Sequence, residues 1–298
     1  MGAKIYFEEG DDLLDICRDK VFKAVFARGT TESNRALSGL VSALIERKVS
    51  IVVVNANEPP VSSMLDRQVR FDIKCRAENG ELVNVEMTLN ADAFEPVRLE
   101  FYAGRLFTGQ DIRGRKKTYG DLKRAYQVTI LGKERFFKDR AFLHTFEYYD
   151  RWHRTALGGR SRIVTLELSK LGKAVEKPAA KMKAHEHWGI FLKYLTDRER
   201  RGKINEIIGQ EEGIAMASKV LMTISKDEVE RAWLESEEKY QLDMQSKMVY
   251  MERLAEKRGK KKGRKEGEEE GEKRIIDLLK SGKSPEEIIR SYEGRKGE

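Results

Sequence analysis

The sequence predicts an α/β core followed by an α-helical C-terminal part, and three observations carry that expectation. First, residues 69–76 and 82–88 alternate apolar and polar side chains with the period of two shown by half-buried strands. Between them Asn79-Gly80 is a strong hairpin signal, because both residues tolerate positive φ. Second, helical periodicity brackets this hairpin, over residues 11–27 and 31–46 before it and from Ala93 after it. Third, few strand signals follow Lys170, and residues 180–256 alternate charge with hydrophobes at helical spacing, among them Ile190, Phe191, Leu195, Ile204, Ile208, Leu221 and Ile224.

In order, the first helix carries an apolar stripe of Leu13, Leu14, Ile16, Cys17, Val21, Val25 and Phe26. The second turns Leu37, Leu40, Val41, Leu44 and Ile45 inward, with Ser33 or Asn34 as caps. Residues 51–54 form a continuous β-branched run, expected of a strand buried on both faces, and Pro59 with Pro60 then enforces a loop. Beyond the hairpin, Pro96 is tolerated in the first turn of a helix whose Leu99, Tyr102, Ala103 and Leu106 face the sheet. Residues 126–131, 144–149 and 163–168 extend the sheet.

In the tail, Gly259, Gly263, Gly267 and Gly271 recur every fourth residue among basic and then acidic residues. Each interior glycine costs a helix about 1 kcal/mol, so a charged linker is favoured over a closely packed helix pair. Ser284, Pro285 and Glu287 mark a capped final helix. The expected organisation is 1–172 core, 173–256 helical extension, 257–274 charged linker and 275–298 small C-terminal helical segment.

The formal net charge of +8, with a pI near 9.2, favours a polyanionic partner. Cys17 and Cys75 are too few for a disulfide framework or a zinc set and read as buried thiols in a reducing compartment. No run of 18 apolar residues exists to span a membrane, and the expected location is cytoplasmic.

The hairpin also carries the candidate chemistry. Asn84, Glu86 and Thr88 point to one side of their strand, opposite Val83, Val85 and Met87. If the register pairs the polar faces, Asp72 converges on Glu86, and two convergent carboxylates call for a cation, with all-oxygen ligation suiting Mg²⁺ or Mn²⁺. The alternative is an ordinary solvated face. Arg98 and Arg105, seven apart on a helix, either reach phosphates or cover its exterior. The basic loop 113–120, with Arg115, Lys116, Lys117 and Tyr119, either tracks a phosphate backbone or is a soluble turn. Asp19 and Lys23, four apart, either form an i,i+4 ion pair or line a cleft. His185 and His187 diverge at i,i+2 on a helix and read as surface, and Asp150 to Arg154 is dense in polar and aromatic groups without catalytic spacing.

An ordered set of features runs through residues 10–172: Asp19 to Lys23, Asp72-Ile73, Asn84 to Met87, Arg98 with Tyr102, Gly114 to Tyr119, the strand from Tyr126, and Leu166 to Lys170. With the glycine-spaced tail, the set resembles the Rpn family of recombination-promoting nucleases, also described as putative transposases, within the PD-(D/E)XK nucleases. The resemblance implies a restriction-endonuclease-like core, a mixed sheet flanked by helices. It implies Asp72 and Glu86, helped by the Met87 carbonyl, as ligands of Mg²⁺ or Mn²⁺, with Asp19 contributed from the first helix. It further implies DNA as substrate, for which Lys23, Arg98, Arg105, Arg115, Lys116 and Lys117 are the candidate contacts. One position departs from the pattern: where the family has Gln and many relatives Lys, this chain has Thr88. The expectation is therefore a metal-dependent DNA endonuclease. The alternative is a catalytically impaired protein on the same fold that binds DNA or forms homo-oligomers through its C-terminal helical region.

Overall fold

The computed structural model describes residues 6–55, 72–112, 117–132 and 135–293. It divides into two compact units, Met1–Glu235 and Ser236–Glu298. The first holds a six-stranded sheet built from β1 (Ile51–Asn55), β2 (Ile73–Ala77), β3 (Leu82–Thr88), β4 (Ala125–Leu131), β5 (Leu143–Phe146) and β6 (Ser161–Glu167), in the order β1-β2-β3-β4-β6-β5. Strands β3, β4 and β6 run parallel through the centre, while β2 and β1 add antiparallel on one side and β5 on the other. The hairpin is as the sequence expects, with Gly80 at φ +84° in its turn; residues 69–71 of its expected first strand and the Pro59-Pro60 loop lie outside the described residues.

One face of the sheet, with Ile73, Cys75, Val83, Val85, Val128, Ile130, Val164 and Leu166, enters a single apolar core with α1 (Asp19–Phe26) and α2 (Thr31–Ile45). Helices α4 (Ala184–Tyr194), α5 (Arg201–Gln210) and α6 (Glu212–Lys226) join that core, placing the fully buried Trp188 against Phe26 and Phe191. The N-terminal segment ties in as well. The Phe7 N–H donates to Asn205 Oδ1 (2.9 Å), the Leu14 N–H to Ser225 Oγ (3.2 Å) and the Cys17 thiol to the Leu192 carbonyl (3.2 Å). Cys17 and Cys75 are buried and free.

The opposite face of the sheet is polar yet covered. Helix α3 (Glu95–Thr108) closes it, with Leu106 packed on Leu82 and Ala125, over a buried row of Asn84, Glu86, Thr88, Gln127, Thr129 and Thr165. Such a row is costly unless its members bond one another.

Several expectations need correction. The first helix starts at Asp19 rather than residue 11; Leu13, Leu14, Ile16 and Cys17 are buried, but the Leu14 N–H bonds to Ser225 on α6 and the Cys17 thiol to the Leu192 carbonyl on α4, and no helix forms there. Thr30, not Ser33 or Asn34, caps α2, its side chain accepting from the Ser33 N–H. Strand β1 lies at the sheet edge with Val52 and Val53 exposed, so its β-branched run encodes extended backbone rather than burial on both faces. His185 and His187 are buried rather than superficial. They do diverge on α4, and each finds its own partner: His185 lies 3.4 Å from Glu46, and His187 Nε2 bonds the Ala179 carbonyl at 2.8 Å.

Most of α7 (Glu228–Lys280) and α8 (Pro285–Glu293) belong to the second unit. The glycine-spaced stretch, expected as a linker, is helical within α7. Exposed i,i+4 pairs such as Lys260–Glu256 (2.6 Å) and Arg264–Glu268 (2.9 Å) offset part of the glycine cost. Ser284 and Glu287 cap α8 reciprocally, as expected. No described helix is long and apolar enough to cross a membrane.

Candidate active site

The register of β2 on β3 pairs Ile73 with Val85 and Lys74 with Asn84, so Asp72, one residue before β2, falls opposite Glu86 on the polar face. In the first group, the Lys23 ammonium bridges two carboxylates, 3.1 Å from Asp72 Oδ1 and 2.9 Å from Asp19 Oδ1. The Met87 N–H also donates to Asp72. Burial raises the Asp72 pKa; Lys23 opposes the rise and the Asp19 charge adds to it. Lys23 in turn is lowered by burial, but Asp72 and Asp19 outweigh that and hold its proton more tightly than usual.

The second group centres on Glu86. Its Oε1 lies 3.1 Å from Arg98 Nη2, and its Oε2 accepts from Gln127 Nε2 at 3.1 Å. Gln127 is held from the other side by Asn84, whose Nδ2 donates to its Oε1 at 2.8 Å, so a fully buried amide chain aims one donor at the carboxylate. Arg98 reaches down from α3, donating also to Thr88 Oγ1 (2.8 Å) and pairing with the buried Glu95 (3.1 Å). Burial pushes the Glu86 pKa up to about 7, with Arg98 opposing and the Asp72 and Glu95 charges adding. The phenol of Tyr102 is raised too, by burial and then by Glu86.

Asp19, Lys23, Asp72, Glu86, Thr88 and Arg98 thus come together at one end of the hairpin and the helices beside it. Arg105 does not join them: it is exposed, two turns further along α3, and Lys117 pairs with Asp111 at 2.9 Å. Arg115 and Lys116 lie outside the described residues. The residues missed from sequence are Gln127 and Glu95. For Gln127 the signal was present, since Gln127 and Thr129 are polar positions in an otherwise apolar strand and pair in register with Asn84 and Glu86.

Among the described residues no group of three or more His, Cys, Asp or Glu side chains is arranged to hold a metal. The buried Glu86 and the half-buried Asp72, both with raised proton affinity and next to a strand backbone, form a hard-oxygen donor set that fits a divalent cation when backbone oxygen and water complete it. Both carboxylates are already matched to protein cations, so a divalent ion would displace or share with Lys23 and Arg98.

A scan against protein-family models matches the family described as PD-(D/E)XK nuclease family transposase over residues 17–251. Searches of the curated proteins and of the solved structures find no match. The matched span takes in the whole sheet, helices α1 to α6 and the Asp72–Glu86 pair. The mixed six-stranded sheet flanked by helices is consistent with that family, whose nucleases generally use divalent metal ions, and membership supports a nuclease or transposase-like function with DNA as the implied substrate. The chain belongs to the PD-(D/E)XK nuclease family transposases.

Proposed function

We propose that the chain is a metal-dependent DNA endonuclease that hydrolyses phosphodiester bonds at the Asp72–Glu86 pair. The observation that carries this reading is the placement of two largely buried carboxylates opposite each other, with Glu86 pushed up to about 7. Asp72, Glu86 and the Met87 carbonyl would hold Mg²⁺ or Mn²⁺, which supplies acidification of a bound water and charge neutralisation at the phosphate. The protein's own groups do the rest. Lys23 and Asp19 hold the Asp72 carboxylate in place, and the Asn84–Gln127 chain orients Glu86. Arg98, at the Thr88 hydroxyl, brings a positive charge to the position where the family carries Gln or Lys, and supports a developing negative charge on phosphate. Arg105, Arg115, Lys116 and Lys117 would contact the DNA backbone further out. Function in the cytoplasm and self-association through the C-terminal helices belong to the same proposal.

A second reading has its own support. Arg98 and Lys23 already neutralise the two carboxylates and compete with any metal, as in a DNA-binding protein whose chemistry has lapsed. Plasmid cleavage by purified protein in Mg²⁺, Mn²⁺ or EDTA separates the two. Nicking or linearisation only with metal, undetectable in Asp72→Ala and Glu86→Ala, is expected. DNA binding without cleavage in any metal would favour the lapsed enzyme. Arg98→Ala is expected to lower the cleavage rate on the order of 10²-fold with DNA affinity nearly kept; an unchanged rate would remove Arg98 from the mechanism.

A further inference from the structure

The connection between β5 and β6 forms a short arm that the Asp72–Glu86 site does not use. Its two sides are joined by the Leu157 N–H to the Tyr148 carbonyl (3.0 Å) and by the Asp150 N–H to the Thr155 carbonyl (2.8 Å). The Asp150 carboxylate accepts from the Trp152 and His153 N–H groups, which turns the tip, and Arg154 takes the left-handed conformation at φ +54° that completes it. This built tip displays aromatics: Trp152 is 79% exposed, and Tyr148 and Tyr149 are more than half exposed. Arginines interleave with them. The Arg151 guanidinium lies 5.3 Å from the Trp152 ring, and among the described residues neither Arg151 nor Arg154 pairs with a carboxylate.

At the foot of the arm, between α3 and strands β5 and β6, lies a mostly apolar groove of about 260 Å³ walled by Leu99, Ala103, Phe137, Phe146, Tyr148 and Ile163. The sheet register relates it to the carboxylates. Phe146 pairs with Ile163, Ile163 with Gln127, and Gln127 with Asn84, so β5 stands three strand spacings from β3, or about 14 Å. Cationic groups beside exposed rings complement a phosphate chain carrying bases, and rings can stack only on bases that are not already paired and stacked within a duplex.

We propose that the arm at Tyr148, Tyr149 and Trp152, with the groove beneath it, binds unpaired bases of a DNA strand, so that the substrate is single-stranded or opened beside the cleavage point. The proposal rests on the nuclease reading for its substrate class. A strand held at Asp72 and Glu86 reaches the arm within a few nucleotides, its phosphates facing Arg151 and Arg154.

The test is binding in EDTA, which separates it from cleavage. Trp188 is fully buried and Trp233 can be replaced by Phe, leaving Trp152 as the exposed fluorophore. In the Trp233→Phe protein, a 20-nucleotide single strand is expected to quench tryptophan emission and to bind about tenfold more tightly than the blunt duplex of the same sequence. Trp152→Ala and Tyr148→Ala, with unchanged melting temperatures, are each expected to weaken single-strand binding about fivefold or more while duplex binding stays within about twofold. Equal affinity for both forms, or single-strand binding indifferent to both substitutions, overturns the proposal. An arm variant that converts a dimer to a monomer without changing DNA affinity overturns it in favour of a second copy of the chain on this face. Failure of the nuclease reading shows differently, as arm-dependent binding with no cleavage in any metal.

Discussion

Gly213→Leu is expected to unfold the first compact unit. Helices α2 and α6 meet at Gly39 and Gly213 so closely that a Cβ on Gly39 would lie 2.9 Å from the Gly213 Cα, and a Cβ on Gly213 would lie 3.0 Å from both the Gly39 Cα and the Trp188 ring. Backbone cannot swing aside as a side-chain end can, so a larger residue must part the helices. Parting them uncovers Leu37, Leu40 and Trp188, all fully buried. Overpacking alone costs about 1–3 kcal/mol, and the lost burial raises the total beyond roughly 4 kcal/mol, a large share of a typical domain's stability. Urea unfolding followed by circular dichroism measures it. Gly213→Ala is expected to fall between wild type and Leu, and Gly263→Leu, where a Cβ meets nothing within 4 Å, is expected to leave the first unit's transition in place. The same packing predicts that residues 1–172 alone do not fold, because α4, α5 and α6 supply one side of the core and anchor Phe7, Leu14 and Cys17. A cooperative unfolding transition from that fragment would refute the shared core.

Without divalent metal, stability is expected to fall as pH rises from about 5 to about 8. Glu86 holds its proton up to about 7 in the folded chain, against an ordinary value of 4.5. Between those values the folded state keeps a proton that the unfolded state has lost, so raising the pH favours unfolding. The shift corresponds to roughly 3 kcal/mol as an order of magnitude, and the raised Asp72 adds in the same direction. Lys23, also raised, contributes stability that is lost only at strongly alkaline pH. Glu86→Gln removes the ionisation and is expected to flatten the profile and to melt above wild type at pH 8. Magnesium at pH 8 is expected to raise the wild-type melting temperature and to leave Glu86→Gln nearly unmoved, since the ion binds only the folded site. Melting curves in EDTA with the same slope in both proteins would show that Glu86 ionises normally.

Much of the core was legible because its signals are local. The Asn79-Gly80 turn sets the hairpin, period-two alternation sets which side chains share a face, and together they bring Asp72 opposite Glu86 before any distance is known. Pro96 and the Ser284–Glu287 pair likewise mark helix starts through chemistry contained within one turn. Local pattern misleads where two outcomes share it. Residues 11–18 have helical periodicity but are held by Ser225 and Leu192, more than 170 residues away. The run 51–54 suits an edge strand as well as a central one, and the histidines of α4 are buried by partners on other elements.

The site divides along the same line. The sequence by itself determined the hairpin, its polar face, the carboxylate pair and the absence of a long side chain at position 88. Only the tertiary structure decided which groups meet that face: Lys23 from α1, 49 residues before Asp72, and Arg98 from α3 and Gln127 from β4, 12 and 41 residues after Glu86. It also decided the proton affinity of Glu86, because burial under α3 depends on the closure of that helix over the sheet and on nothing in the residues next to Glu86. Periodicity and turn chemistry act between neighbours in sequence, whereas desolvation and ion pairing act between neighbours in space.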